Sequence, residues 1–240
     1  QVHTALLALR TSRPVKMQYG REESFFGHVH RHPATVWMRH HATKEGKIVK
    51  IEARFVFDGG AYASTSAAVL INGVTHTQGP YKCPAAVVDG YAVRTNNPPC
   101  GAMRGFGVVQ ACFAHEGQMD KLAVAAGLDP VSIRLLNAME TGDTLITGQP
   151  VESVAPVARL IRETNEIPLP PDLALDANEL DLPGGSGITA ERKHIKRGIG
   201  WGVSIKNIMY SEGFDDYSTA KCTLADGKVT LKFATSEVGQ

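Results

Sequence analysis

The densest stretch of chemistry-bearing backbone is Gly101-Ala-Met-Arg-Gly-Phe-Gly-Val-Val-Gln110, set between the turn-rich Asn96-Asn-Pro-Pro-Cys100 and a helical pattern starting near Val108. A glycine loop that opens a helix leaves unpaired N–H groups at the positive end of the helix dipole. Such a site stabilises phosphate, oxyanion or metal-oxo groups. Gly105-Phe-Gly107-Val-Val-Gln110 approaches the dinucleotide pattern G-x-G-x-x-G, but the third glycine is missing and prolines, not a strand, lead into it. Nicotinamide binding is therefore disfavoured. An anion-binding loop and a plain helix-capping turn both stand open on these residues alone.

Two neighbouring clusters carry weaker signals. His28, His30 and His32 alternate before Pro33, so on a strand they would share one face and offer imidazoles to a metal. No Cys or carboxylate pattern completes a tetrahedral site, and surface or packed histidines are the expectation. In Arg21-Glu-Glu-Ser-Phe-Phe26 two aromatics beside a carboxylate would raise its pKa by desolvation, while Arg21 would hold it ionised. A surface ion pair is the simpler reading. No G-x-S-x-G, G-x-x-x-x-G-K or H-E-x-x-H occurs, which disfavours the hydrolase, P-loop and zincin chemistries.

The elements that must position these residues fall into three regions. From 1 to 143, strand and helix signals mix. Val2 to Leu9 suits a short helix ending before Arg13-Pro14, and Val15–Tyr19 alternates as a strand. Thr35–His41 and Lys47–Phe57 predict an antiparallel hairpin around Thr43-Lys-Glu-Gly46. Val108, Cys112, His115, Met119, Leu122 and Ala126 recur at helical spacing up to Gly127, and Asp129-Pro130 starts another helix as N-cap and first residue. From 144 to 191, a helix over Glu152–Thr164 is followed by an acidic Pro/Gly-rich linker, with six acids and no Lys or Arg between Glu166 and Glu191. From 192 to 240, Ile199–Ile208, Phe214–Leu224 and Lys228–Thr235 read as strands, the last two joined by an Asp226-Gly227 turn. The fold class expected is α/β (α+β), mixed sheets with packed helices.

Twenty-five Lys and Arg against 24 Asp and Glu give a formal charge of +1, which argues against nucleic acid or an anionic membrane as partner. No apolar run approaches the roughly 20 residues that span a bilayer. Cys83, Cys100, Cys112 and Cys222 form no C-x-x-C pair, so packed or reduced thiols in a cytoplasmic setting are expected. The chain begins at Gln1 inside a helical pattern and stops at Gln240 after a strand-like run, so both ends read as cut.

Arg13-Pro-Val, Arg21-Glu-Glu-Ser, Arg31-His-Pro33, Asp58-Gly-Gly-Ala-Tyr62, Gly79-Pro-Tyr81, Arg94-Thr-Asn-Asn-Pro98, Ala102-Met-Arg-Gly-Phe-Gly107, Lys196-Arg-Gly198 and Ser236-Glu-Val-Gly-Gln240 occur in one order. That order resembles the molybdenum-binding subunit of the xanthine dehydrogenase/aldehyde oxidase family, across nearly the whole chain except the acidic linker. The resemblance implies part of a molybdopterin-binding domain and a molybdenum-molybdopterin cofactor, in bacterial relatives often extended as a cytosine dinucleotide. It also implies 2Fe-2S clusters and FAD in other domains or subunits, in an oligomeric parent enzyme. By the same resemblance, backbone around Arg104, with Gly105 and Gly107, approaches the metal's oxo group, Gln240 contacts the pterin, and the molybdenum is held through the pterin rather than by side chains. The resemblance further implies that Phe106 packs on a flat substrate ring, and Phe106 separates this chain from carbon monoxide dehydrogenases, whose similar loop lacks the aromatic.

Glu23 matches the glutamate that hydrogen-bonds the heterocycle in purine-oxidising relatives, an acid usually lacking in aldehyde oxidases. Tyr210-Ser211 falls where relatives place a Phe-Thr pair, so Tyr210 offers a second aromatic face. About Asn72 stands where animal xanthine oxidases have an arginine on the purine carbonyl. The amide lacks that charge, so hypoxanthine, another purine or a different N-heterocycle fits as well as xanthine. The implied activity is hydroxylation of an electron-poor carbon with oxygen from water. The base glutamate of relatives lies downstream of Gln240 and a G-G-F-G-type loop lies upstream of Gln1, so the expectation is an inert fragment with no catalytic residue of its own. The alternatives are an aldehyde oxidoreductase within the family, or a stand-alone anion- or nucleotide-binding or assembly module without catalysis.

Overall fold

Alternating apolar residues build the centre of the molecule. In the computed structural model, which describes residues 2–169, 198–207 and 218–234, β1 (Ala34–Ala42) pairs antiparallel with β2 (Ile48–Gly60), with Ala34 opposite Phe57 and His41 opposite Lys50. Gly46, at φ 89°, allows the turn between them. Ile51, Ala53, Phe55 and Phe57 point to one face of β2 and are buried. The expected hairpin therefore forms.

A third strand joins on the other side of β2. β3 (Ala86–Arg94) runs parallel to it, with Ile51 opposite Ala86, and α3 (Ser66–Thr75) makes the crossover. The sheet order β1-β2-β3 is thus mixed, as the expected class requires. The core of Met38, Phe55, Phe57, Val69, Ala111 and Met119 lies where α3 and α4 (Val108–Ala126) cover the sheet. Neither α3 nor β3 was expected from the sequence. Ser66–Thr75 is apolar nearly all round, so helical periodicity is weak there, and Asp89-Gly90 interrupts the apolar run of β3.

Gly127, at φ 67°, ends α4. Asp129 then caps α5 (Pro130–Asn137) by accepting the N–H groups of Val131 (2.8 Å) and Ser132 (3.0 Å). The two helices are joined through a buried ion pair. Arg134, fully buried, donates to Glu116 (2.8 Å), to Asp120 (2.8 Å) and to the Trp201 carbonyl (3.0 Å), while the Tyr81 hydroxyl donates to the other Glu116 oxygen (2.6 Å). Burial, reinforced by Glu116, pushes the Tyr81 pKa far up. This network also docks residues 198–207 on α4, where the His115 ring bonds the Val203 carbonyl at 3.4 Å.

Three expectations need correction. Val15–Tyr19 forms no strand, because no neighbouring strand pairs with it; α1 (Val2–Thr11) precedes it and α2 (Arg21–Gly27) follows. The helix expected from Glu152 starts only at Val157, as α6 (Val157–Asn165): Val151 bonds Asp143 in a turn, and Pro156 keeps the residue ahead of it extended. Residues 199–207 join no ladder among the described residues and are held by side chains instead.

Of the expected strand Phe214–Leu224, β4 (Ala220–Ala225) is seen and 214–217 lie outside the described residues. It pairs with β5 (Lys228–Phe233) around Asp226 and Gly227, both at positive φ (50° and 70°), as a tight hairpin turn demands. The acidic linker beyond residue 169 lies outside the described residues, as do Tyr210, Ser211 and Gln240. No helix among the described residues is long and apolar enough to cross a membrane. Cys83, Cys100, Cys112 and Cys222 are free, the first two buried and the last exposed.

Candidate functional site

Three consecutive residues of the glycine loop adopt left-handed backbone: Gly105 at φ 91°, Phe106 at 48° and Gly107 at 94°. That conformation costs a residue with a side chain roughly 1–2 kcal/mol, so Phe106 is held there by its surroundings. Its N–H donates to the Met103 carbonyl (2.7 Å), the Val108 N–H donates to Gly105 (2.9 Å), and its ring packs half-buried against the core. Gly107 is the N-cap of α4 and rests on α3: a Cβ there would lie 2.1 Å from the Val69 carbonyl oxygen. On Gly105 a Cβ would meet Val109 at 2.4 Å. Only glycine fits both positions.

The loop is also tied from its other side. The Arg31 guanidinium donates to the Arg104 carbonyl at 2.6 Å, the Gly101 N–H to His30 at 3.0 Å, and the Gln110 amide to the His32 carbonyl at 3.1 Å. Behind this strap, Asp58 accepts from Thr95 (2.6 Å), the Gly60 N–H (2.9 Å) and Asn97 (2.5 Å). Those donors, Thr95 first, hold its pKa below the usual carboxylate range. The Asp58-Gly-Gly motif thereby fixes the Asn96–Pro99 turn that feeds the loop. Arg31, Asp58 and Gln110 were not singled out as site residues, and His32 only as one of three alternating histidines. Arg31-His-Pro33 and Asp58-Gly-Gly stood out only as motifs, with no spacing that ties them to the loop.

The histidine cluster disperses. His28 is exposed at the end of α2, His30 bonds the Phe25 carbonyl (2.6 Å), and His32 is buried on the Ser66 hydroxyl (2.8 Å). Burial lowers the His32 pKa, so the ring is neutral at pH 7. Among the described residues no group of His, Cys, Asp or Glu is arranged to hold a metal ion. Two buried atoms beside the loop, His32 Nδ1 and Gln110 Oε1, find no hydrogen-bond partner among the described residues. A helix start with cramped glycines and orphaned polar atoms suits an oxygen- and nitrogen-rich ligand, and the pterin group fits that chemistry.

Glu23 lies exposed on α2, its carboxylate accepting the Gly20 N–H at 2.7 Å in a capping arrangement. α2 joins the loop through His30 and Arg31. Asn72 is buried in α3, donating to the Ala68 carbonyl (3.1 Å) and accepting from Lys206 (3.1 Å). Arg104, Gly105, Phe106 and Gly107 form one wall, backed by Val69 and Gly73 of α3, the helix that also carries Asn72.

The family described as molybdopterin cofactor-binding domain matches residues 1–138. The chain belongs to the molybdenum hydroxylases. Among molybdenum hydroxylases, it is 45% identical over 166 residues to the nicotinate dehydrogenase large molybdopterin subunit of Eubacterium barkeri, covering 69% of this chain and 39% of that one. It is 31% identical over 241 residues to a probable xanthine dehydrogenase subunit of Bacillus subtilis, which covers 100% of this chain and 30% of that one. The solved aldehyde oxidoreductase from Desulfovibrio gigas superposes with a TM-score of 0.62 at 30% identity, over 67% of this chain and 18% of that one. The chain therefore spans well under half the length of these molybdenum hydroxylases.

Proposed function

We propose that the full-length enzyme hydroxylates an N-heteroaromatic ring at an electron-poor carbon. The observation that carries this reading is the strained Phe106, presented by a glycine cradle at the start of α4 and strapped by Arg31. When bound, molybdopterin supplies the centre that takes two electrons from the substrate and delivers oxygen derived from water. In this reading the backbone of Arg104, Gly105 and Gly107 would hold that group, and Gln240 would contact the pterin. Phe106 lies on the substrate ring with Tyr210 on its other face, Ser211 adding a hydroxyl. Glu23 accepts a ring N–H and stabilises charge as it develops.

The nicotinate and xanthine names of two relatives support a nitrogen heterocycle; the aldehyde oxidoreductase likeness favours aldehydes as the second reading. Iron–sulfur and flavin partners, a cytosine dinucleotide form of the cofactor and a cytoplasmic location belong to the same proposal. The test is a panel of purines, pyridines and aldehydes on the full-length enzyme. Phe106→Ala should raise KM for ring substrates, and Glu23→Gln should lower kcat for purines and pyridines by roughly 10²-fold. Turnover of aldehydes alone, or heterocycle turnover untouched by both changes, would remove the reading. Gly107→Val should abolish molybdenum content, read by elemental analysis.

A further inference from the structure

Lys206 reaches back to α3 from the 198–207 stretch. Its ammonium donates to the Asn72 side-chain oxygen at 3.1 Å and to the Asn207 carbonyl at 2.9 Å, with a further close contact to the Asn207 side-chain oxygen. All three acceptors are neutral. Desolvation draws its pKa below the ordinary lysine value. No described carboxylate answers this cation.

The surroundings hold the ammonium in place without neutralising it. Asn72 gives its own N–H to Ala68, which turns its oxygen to Lys206. His76 uses both ring nitrogens: Nδ1–H donates to the Asn72 carbonyl (2.8 Å) and Nε2 accepts the Asn207 N–H (3.2 Å). The ring is therefore a fixed neutral tautomer, and its burial keeps it uncharged. The same turn of α3 backs the loop, since Val69 and Gly73 are the residues that crowd Gly107. The lysine thus stands on the helix that also supports the Phe106 wall.

We infer that Lys206, positioned by Asn72 and Asn207, anchors an anionic substituent, chiefly a carboxylate, on a flat substrate whose ring lies against Phe106. An ammonium bonds a carboxylate more strongly than an amide oxygen, so the incoming group displaces the Asn207 side-chain oxygen. A cation near the C-terminal turn of α3 is also favoured by the helix dipole, and a purely structural lysine would do no more than that. The inference deepens the proposed function and rests on its placement of the ring.

The experiment measures KM and kcat of the full-length holoenzyme for pyridine-3-carboxylate and for the uncharged pyridine-3-carboxamide. Lys206→Met should raise KM for the carboxylate about 10- to 100-fold, leave KM for the carboxamide and both kcat values within about twofold, and erase the salt dependence of the carboxylate KM. Lys206→Arg keeps the charge and should restore most of the carboxylate affinity. Equal losses for both substrates, or no loss for the carboxylate, overturn the anchor. If the wild type turns over no heterocycle, the proposed function fails by itself. The anchor is then judged on 4-carboxybenzaldehyde against benzaldehyde: a carboxylate preference lost in Lys206→Met upholds it, and its absence overturns it.

Discussion

The β1–β2 pair and the β4–β5 pair are both antiparallel ladders closed by tight turns, yet they have opposite fates. β2 buries every second side chain, with Phe55 and Phe57 out of contact with water, whereas no residue of β4 or β5 is buried, and Leu224, Val229, Leu231 and Phe233 are all exposed. The turn and the alternation are equally good in both. What separates them is a covering layer: α3 and α4 lie on the first ladder, and nothing described lies on the second. A two-stranded hairpin is marginal alone. Stability in this chain therefore resides where helices meet the mixed sheet, and the hairpin carries the pattern of a strand pair without its burial.

The largest effect that tests this contrast comes from the ion pair between α4 and α5. Arg134→Ala leaves Glu116 buried without its cation and should cost about 3–5 kcal/mol in denaturant unfolding; a loss below 1 kcal/mol would mean the helix layer is not what stabilises the sheet. Acid acts where that layer meets the sheet, at His115 on α4 and His40 on β1. Burial lowers His40 and His115 to about 4, from an ordinary 6.5. The unfolded chain therefore takes protons first as pH falls. Stability is complete above about pH 6.5 and declines toward pH 4, by up to roughly 1.4 kcal/mol per pH unit for each ring. His115→Gln should flatten that slope, and an unchanged slope would exclude His115 from it. A smaller effect is expected at the α5 cap, where Asp129→Ala should cost about 1 kcal/mol by thermal melting. Least of all, Phe233→Ala in the hairpin should stay within about 0.5 kcal/mol. A loss as large as that expected of a core phenylalanine would show that β5 is covered after all.

Much of this was legible in the sequence where local chemistry decides structure. The β1–β2 hairpin, α4 with its closing glycine, the Asp129 cap and the glycine loop at a helix start all follow from short-range patterns. What escaped was non-local. β3 pairs parallel with β2 through a crossover that leaves no periodic signature, and Asp58 meets Thr95 and Asn97 only because those strands lie side by side. Likewise, nothing in the spacing of Asn72 and Lys206 announces their contact. Arg31 looked like one cation among many until its guanidinium was found on the Arg104 carbonyl. Val15–Tyr19 erred the other way: the alternation was present, but a strand needs a neighbour.

The parallel alignment of β2 and β3 has a bearing on the order of events during folding. Ile51 meets Ala86 across a connection that contains α3, and the Asp58 clamp reaches 37 residues along the chain to Thr95. Contacts so distant along the chain form late, because the entropy of closing the loop is lost before the pairing returns anything. The glycine cradle downstream of β3 is therefore expected to take shape among the last parts of the body. A correctly shaped cradle would then report that the sheet behind it is already complete.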